Sequence, residues 1–173
     1  MRSASARALR MKLLLVVLLA LCAQTQAESL SGLVLSVADG DTISLRDTSQ
    51  AQHRIRLSGI DAPEKAQPYG LQSRQSLSDL VLGRMVTVQT GKTDRYGRVV
   101  GKILLEGMDV NLEQSRRGLA WHYKAYEREQ SVEDRRIYAD AEAIARDALL
   151  GLWSTSDTPV PPWEYRHPRS PSP

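Results

Sequence analysis

The sequence predicts an α+β domain, mainly β, on three observations: five short runs alternate apolar and polar residues, three stretches have helical spacing, and turn residues separate the strands at hairpin distance. The first strand is SLSGLVLSVA from Ser29, the second TISLRD from Thr42, and the third HRIRLSGI from His53. Asp39-Gly40 is a strong hairpin signal between the first two, and the polar stretch Asp47 to Gln52 makes the next turn. These three strands form a meander. A helical pattern follows, with Leu77, Leu80 and Val81 on one face and Gly83 as its stop. Residues Met85 to Thr90 are the fourth strand and Val99 to Leu105 the fifth, ending at Glu106-Gly107. Asp109 to Arg117 reads as a short helix closed by Gly118. The last helix starts at a capping-box pattern, Ser131 with Asp134, and steps through Tyr138, Ala141, Ala145, Ala148 and Leu152.

A chain of 173 residues accommodates one domain of ordinary size. With 42% hydrophobic and 25% charged residues, neither wholesale disorder nor a polytopic membrane protein is indicated, and the lack of Phe leaves the core to Leu, Val, Ile and Ala. The net charge of +3 is not evidence for nucleic-acid binding, because its excess is N-terminal. Arg2, Arg7, Arg10 and Lys12 lie in residues 1–27, which hold no acid; without these four, 19 of the 23 basic residues face all 20 acids.

Residues 1–27 have the parts of a secretory signal: a basic start, an apolar run from Leu13 to Ala23, and a small-residue exit at Ala27, after which cleavage is expected. An uncleaved anchor is the alternative, but the apolar run is well short of the roughly 20 residues that span a bilayer. A lipoprotein reading would use Cys22, the single cysteine, although the bulky Leu21 precedes it. The expectation is an exported protein, periplasmic or secreted, that is off the membrane once cleaved and is stabilised without disulfides. Residues 28–154 would form the folded domain. Six of the eight prolines fall between Pro159 and Pro173, so residues 155–173 read as a Pro-rich disordered tail.

Three clusters carry chemistry: DGDT at Asp39 to Thr42, RLSGIDAPE at Arg56 to Glu64, and TDRYGR at Thr93 to Arg98. Taken alone, DGDT is what a hairpin turn would use anyway. Asp41, however, opens the second strand, and Asp61 follows the third, its antiparallel neighbour. Both carboxylates can therefore meet at one edge of the sheet. Two carboxylates with a backbone carbonyl and waters make a hard-oxygen site suited to Ca²⁺, whereas His53, His122 and His167 are scattered and disfavour zinc. Arg56 lies five residues before Asp61, a separation that puts the two on opposite faces of a straight strand. A shared site requires a bend near Gly59. Guanidinium groups such as those of Arg56 and Arg98 suit bidentate phosphate recognition.

These three clusters, in this order, resemble the staphylococcal nuclease family, whose motifs look like DGDT, R-x-x-x-x-D-x-P-E and T-D-x-Y-G-R. GLAW at Gly118 to Trp121 and GLWS at Gly151 to Ser154 extend the similarity over roughly residues 30–155. The resemblance implies a five-stranded OB-fold barrel with three helices. It also implies calcium-dependent, sequence-nonspecific hydrolysis of DNA and RNA giving 3′-phosphate ends, by a monomer with no stable protein partner. Asp41, Asp61 and the backbone carbonyl of Ala62 would be the metal ligands, and Arg56, Glu64 and Arg98 the catalytic residues, with Glu64 accepting a proton from, or orienting, the attacking water. Arg95, Tyr96, Tyr123 and Tyr126 would contact the substrate by charge and stacking. The sequence departs from the best-known member at Ala62, where that member has threonine, and in a shorter, less basic loop at Lys65 to Gly70. Two alternatives stay open: an inactive OB-fold module that binds nucleic acid or protein, and an exported calcium-binding structural domain.

Overall fold

The structure, a computed structural model, describes residues 29–155 and 157–167. The expected export signal lies outside them. Among the described residues, eight strands and four helices follow in order: β1 (Ser29–Asp39), β2 (Thr42–Asp47), β3 (Gln52–Leu57), β4 (Ile60–Asp61), α1 (Gly70–Val81), β5 (Met85–Thr93), β6 (Val99–Leu105), β7 (Met108–Asp109), α2 (Val110–Arg116), β8 (Trp121–His122), α3 (Val132–Asp147) and α4 (Pro162–Tyr165). Two 3-10 turns, Lys124–Glu129 and Gly151–Ser154, flank α3.

Five of the strands close into a barrel. β1 pairs antiparallel with β2 and β5, β2 with β3, and β5 with β6, and a parallel contact of Ile55 to Leu57 with Val99 to Gly101 joins β3 to β6. This closing contact leaves no wholly unpaired strand in the barrel and gives the OB-fold architecture with helices. Alternation along each strand buries Val34, Ile43, Leu45, Ile55, Leu57, Val86, Val88 and Ile103 inside, and Leu77 and Val81 of α1 complete the core. No helix among the described residues is long and apolar enough to cross a membrane.

Two turns carry most of what matters for the site. The first is Gly40-Asp41, between β1 and β2, where Asp39 pairs with Thr42. A side chain at Gly40 would sit 1.8 Å from the Ser73 hydroxyl and 2.7 Å from Ala62 Cβ, so only glycine lets α1 and the 61–62 segment close over this turn. The second is Ser58-Gly59, where Gly59 has φ +74° and the chain leaves the barrel before β4 pairs with β8. The bend required by the spacing of Arg56 and Asp61 is present.

Both turns are held by one short helix. Asn111 of α2 donates to the carbonyls of Ser58 (2.9 Å) and Gly101 (3.1 Å) and accepts from the Ile103 N–H (3.1 Å). One turn of helix later, Gln114 donates to the carbonyls of Gly40 (2.9 Å) and Ser73 (3.0 Å) and accepts from the Ser76 hydroxyl (2.7 Å). Both amides are fully buried, so each bond is made without competition from water.

The last long helix ends earlier than its apolar spacing suggests. Ser131 caps it, accepting from the Asp134 N–H at 3.0 Å, but the Asp134 carboxylate bonds Lys102 Nζ at 2.7 Å instead of closing a capping box. Leu149 and Gly151 have positive φ and reverse the chain, which leaves Ala148 exposed and puts Leu152 on the following 3-10 turn, its N–H on the Gly118 carbonyl. Gly118 and Gly151 pack backbone to backbone there, with no room for a side chain on either.

The expected disorder of the tail does not hold for residues 157–167. Pro162 supplies a preset first helical position for α4, Trp163 stacks on Tyr123, and Gln67 Nε2 donates to the Val160 carbonyl. A tryptophan can bury enough surface to offset the ordering of a short segment, which the proline count does not register.

Removing the Gln114 amide should be costly: Gln114→Leu takes a buried donor from the Gly40 and Ser73 carbonyls and the acceptor from the Ser76 hydroxyl, and a loss of about 2–4 kcal/mol in denaturant unfolding is the expected result. A pH-dependent test concerns the turn after β2, where Asp47 accepts from the Ser49 and Ala51 N–H groups and from the Ser49 hydroxyl and pairs with His53. Hydrogen bonds led by the one to His53 lower its carboxyl from 3.8 to about 2, so its contribution is full above the unfolded value and is lost as pH falls through about 2. Urea midpoints of the wild type should exceed those of Asp47→Asn near neutrality and converge with them across that interval.

Candidate active site

The bend at Gly59 turns Asp61 back toward the barrel mouth, and Arg56 then ties the two acids together. Arg56 Nη2 bonds Asp61 Oδ1 at 2.8 Å, and Nη1 lies 3.1 Å from Asp41 Oδ2. The same Nη1 donates to the carbonyls of Leu57 (2.8 Å) and Ile60 (2.9 Å), the residues on either side of the bend. Asp41 Oδ2 also accepts from the Ala62 N–H at 2.7 Å, and Asp41 Oδ1 from the Thr42 hydroxyl at 3.0 Å. Asp41, Asp61, Ala62 and Arg56 thus form one buried constellation. The Asp61 side chain is 0% exposed and that of Arg56 is 13%.

A second guanidinium reaches the site from the C-terminal segment. Arg166 Nη2 bonds Asp61 Oδ2 at 2.8 Å, while Nη1 bonds Asp61 Oδ1 at 3.2 Å and Glu64 Oε1 at 2.9 Å. Glu64 is held from the backbone side as well, its N–H donating to Gln67 Oε1 at 3.1 Å. Burial pushes the Asp61 carboxyl above its ordinary range, opposed by the bond from Arg166 and the charge of Arg56 and reinforced by the charge of Asp41. Asp39, whose Oδ1 accepts from the Asp41 N–H at 3.1 Å, is raised by burial and by Asp41 to about 6.

The donor set suits a hard cation. A carboxylate can accept at about four lone-pair positions, and the contacts above occupy three on Asp41 and three on Asp61. Acceptor capacity is left on Asp41 Oδ1 and Asp61 Oδ2 while both arginines stay in place. Among the described residues no group of three or more His, Cys, Asp and Glu side chains is arranged to hold a metal. A cation here would therefore rest on two carboxylates with backbone and water oxygens, the pattern of a weak calcium-type site. Two of the three histidines are engaged elsewhere: His53 pairs with Asp47, and buried His122 bonds Gln130 through Nε2.

Among the described residues, the remaining ones singled out in the sequence make no hydrogen bond or ion pair with Asp41, Asp61 or Glu64. Arg98 Nε bonds Asp94 Oδ2 at 2.7 Å and its guanidinium lies 5.5 Å from the Tyr96 ring, so it stands apart from the three acids with both Nη groups unbonded among the described residues. Arg95 covers exposed Tyr96 at 4.8 Å and donates to its hydroxyl. Tyr123 and Tyr126 meet at 5.1 Å, beside the bend, where the Tyr123 N–H donates to the Gly59 carbonyl. One face of Tyr123 is covered by Trp163, with ring centroids 5.5 Å apart and planes 16° from parallel. Burial and the nearby charge of Asp61 raise the Tyr123 hydroxyl above its usual range, which places that ring in the electrostatic field of the acids.

Sequence reasoning passed over Arg166 and Trp163, because they lie in a stretch judged by its prolines, and over Asn111 and Gln114, because amides in a short helix look solvent-facing. Trp163 was the available signal, since disordered tails are poor in aromatics.

A family model described as staphylococcal nuclease homologue matches residues 54–155. An uncharacterized endonuclease of Escherichia coli is 44% identical over 137 residues, which cover 79% of this chain and 84% of that protein. An uncharacterized endonuclease of Haemophilus influenzae is 34% identical over 133 residues, 77% of this chain and 71% of that one. The staphylococcal-like nuclease CAN1 of Arabidopsis thaliana is 42% identical over 113 residues, 65% of this chain but 33% of the longer plant protein. The family match and the E. coli relative, which is aligned along most of both chains, together establish that this chain belongs to the family of staphylococcal nuclease homologues.

Proposed function

We propose that the protein is an exported endonuclease that hydrolyses phosphodiester bonds in DNA and RNA, depends on calcium, ignores sequence and leaves 3′-phosphate ends. The observation that carries this reading is Arg56 bridging Asp41 and Asp61, with Glu64 held next to them by Arg166. Two buried acids, a third acid at their edge and guanidinium groups around them make a site for a cation and an anion together. Family membership and the nuclease names of the relatives support the same chemistry.

In this reading Asp41, Asp61 and the Ala62 carbonyl hold Ca²⁺, which would supply positive charge to the phosphate oxygens. The protein's own groups do the rest. Glu64, partly exposed at the mouth, accepts a proton from or orients the attacking water. Arg56 is fixed by two backbone carbonyls and two acids, so its charge is in place before substrate arrives, the preorganisation that makes electrostatic stabilisation effective. Arg98 has unbonded Nη groups with which to meet a phosphate, and Arg95, Tyr96, Tyr123 and Tyr126 offer charge and ring faces to the strand. Backbone charge and ring stacking take any base alike, which accords with cleavage at many sequences.

The test is incubation of the protein from Glu28 onward with plasmid DNA and with single-stranded RNA, in Ca²⁺, in Mg²⁺ and in chelator. Cleavage in Ca²⁺ that chelator abolishes is the expected outcome, with a rate about 10² to 10³ lower for Glu64→Gln. Binding to DNA without turnover would instead identify an inactive OB-fold module, and cleavage undiminished in the variant would remove Glu64 from the mechanism. Export is checked separately: mass spectrometry of the protein recovered outside the cytosol should find Glu28 at its N-terminus.

A further inference from the structure

We infer that Arg166 is a third arginine of the site, holding Glu64 and Asp61 in position and presenting its remaining N–H groups to a phosphate of the bound strand. This rests on the nuclease reading above and adds to it a residue from outside the barrel.

The first argument is geometric. The arm that carries Arg166 is anchored at three points before it reaches the acids: the Val160 carbonyl on Gln67, the stack of Trp163 on Tyr123, and an edge contact of Trp163 with Trp121 at 6.3 Å. Pro162, within the arm, is buried. A guanidinium delivered by so short an anchored segment is preorganised, unlike one on a free tail.

The second argument is the inventory of donors. A guanidinium has five N–H groups, and Arg166 commits three of them, two to Asp61 and one to Glu64. Nε–H and one Nη2–H make no bond among the described residues. The side chain is 36% exposed, against 13% for Arg56, whose Nη1 is already shared among two carbonyls and Asp41. Arg98 is unbonded at its Nη groups but does not touch the acids. Arg166 is thus the guanidinium that combines contact with Glu64, exposure and spare donors.

The third argument is charge. Ionised Asp41, Asp61 and Glu64 carry three negative charges and Arg56 returns one. Asp39 beside Asp41 adds to that negative charge, and Arg166 removes one unit of it before any cation binds. Reducing that repulsion favours entry of an anion.

The experiment compares wild type, Arg166→Ala, Arg166→Lys and, as a control, Arg136→Ala on the exposed face of α3, all in the full chain. Three readouts are taken: kcat and KM on a single-stranded oligonucleotide in Ca²⁺, fluorescence-anisotropy affinity for a phosphorothioate oligonucleotide with and without Ca²⁺, and melting temperature. For Arg166→Ala the expected result is a fall of about 10²-fold in kcat/KM and weaker binding of the phosphorothioate strand, with any fall in melting temperature leaving the protein folded at the assay temperature. Lysine should restore little, because a point charge cannot bridge two acids and a phosphate, while added methylguanidinium should partly rescue the alanine variant and leave the wild type unaffected. Unchanged or increased activity in Arg166→Ala would overturn the inference, the increase identifying the arm as a block on the site. A loss of activity that tracks melting temperature, with phosphorothioate affinity intact, would also overturn it. If the wild type proves unable to cleave, the nuclease reading fails by itself, and the anisotropy comparison still decides whether Arg166 contacts phosphate.

Discussion

The guanidinium of Arg56 is the contact on which the rest of this structure depends. It joins Asp41 of the β1–β2 turn, both flanks of the Gly59 bend and Asp61 at the end of β4, using two nitrogens for four partners. Burying Asp61 completely would be prohibitive without a partner of opposite charge, and burying Arg56 would be equally so without acceptors. Each makes the other tolerable. A consequence is that the barrel mouth cannot collapse onto an apolar packing: its geometry is dictated by where one planar cation can satisfy four oxygens.

That arrangement has to be supported from below, and α2 provides the support. Asn111 and Gln114 face the barrel from successive turns and hold the Ser58 and Gly40 carbonyls, one for each site-bearing turn. The helix itself is placed by Asp109, which caps it through the Leu112 N–H and accepts the Tyr138 hydroxyl from α3. A chain of buried polar bonds therefore runs from the long helix through the short one to the two acids. Such a network is stable only when every member is satisfied, which ties the precision of the site to the packing of helices that contribute no residue to it.

The C-terminal segment adds a different kind of support. Its proline content keeps it extended and its length is small, yet Trp163 and Arg166 give it one apolar and one ionic foothold, on Tyr123 and on Asp61 with Glu64. An exposed ion pair alone would contribute at most about 1 kcal/mol and would not order the arm. Stacking on an aromatic ring beside a fully buried carboxylate can. The same contact covers one face of Tyr123, so the arm and a bound base would compete for that ring.

The resemblance carried by DGDT, RLSGIDAPE and TDRYGR supplied the barrel and the place of Glu64, whereas the alternating strands, the helical spacing around Leu77 and Leu80, and the meeting of Asp41 with Asp61 were read from the residues themselves. They were legible because local rules govern them: period-two burial, turn chemistry, and the parity of Arg56 and Asp61, which required the bend that Gly59 makes at φ +74°. Tertiary structure alone decided that β3 closes on β6, that buried amides of α2 hold the turns, that α3 stops at Asp147, and that Arg166 meets residues about a hundred positions earlier in the chain. None of these follows from a window of ten or twenty residues. Each is a long-range contact whose free energy depends on burial and on partners that the local sequence does not contain.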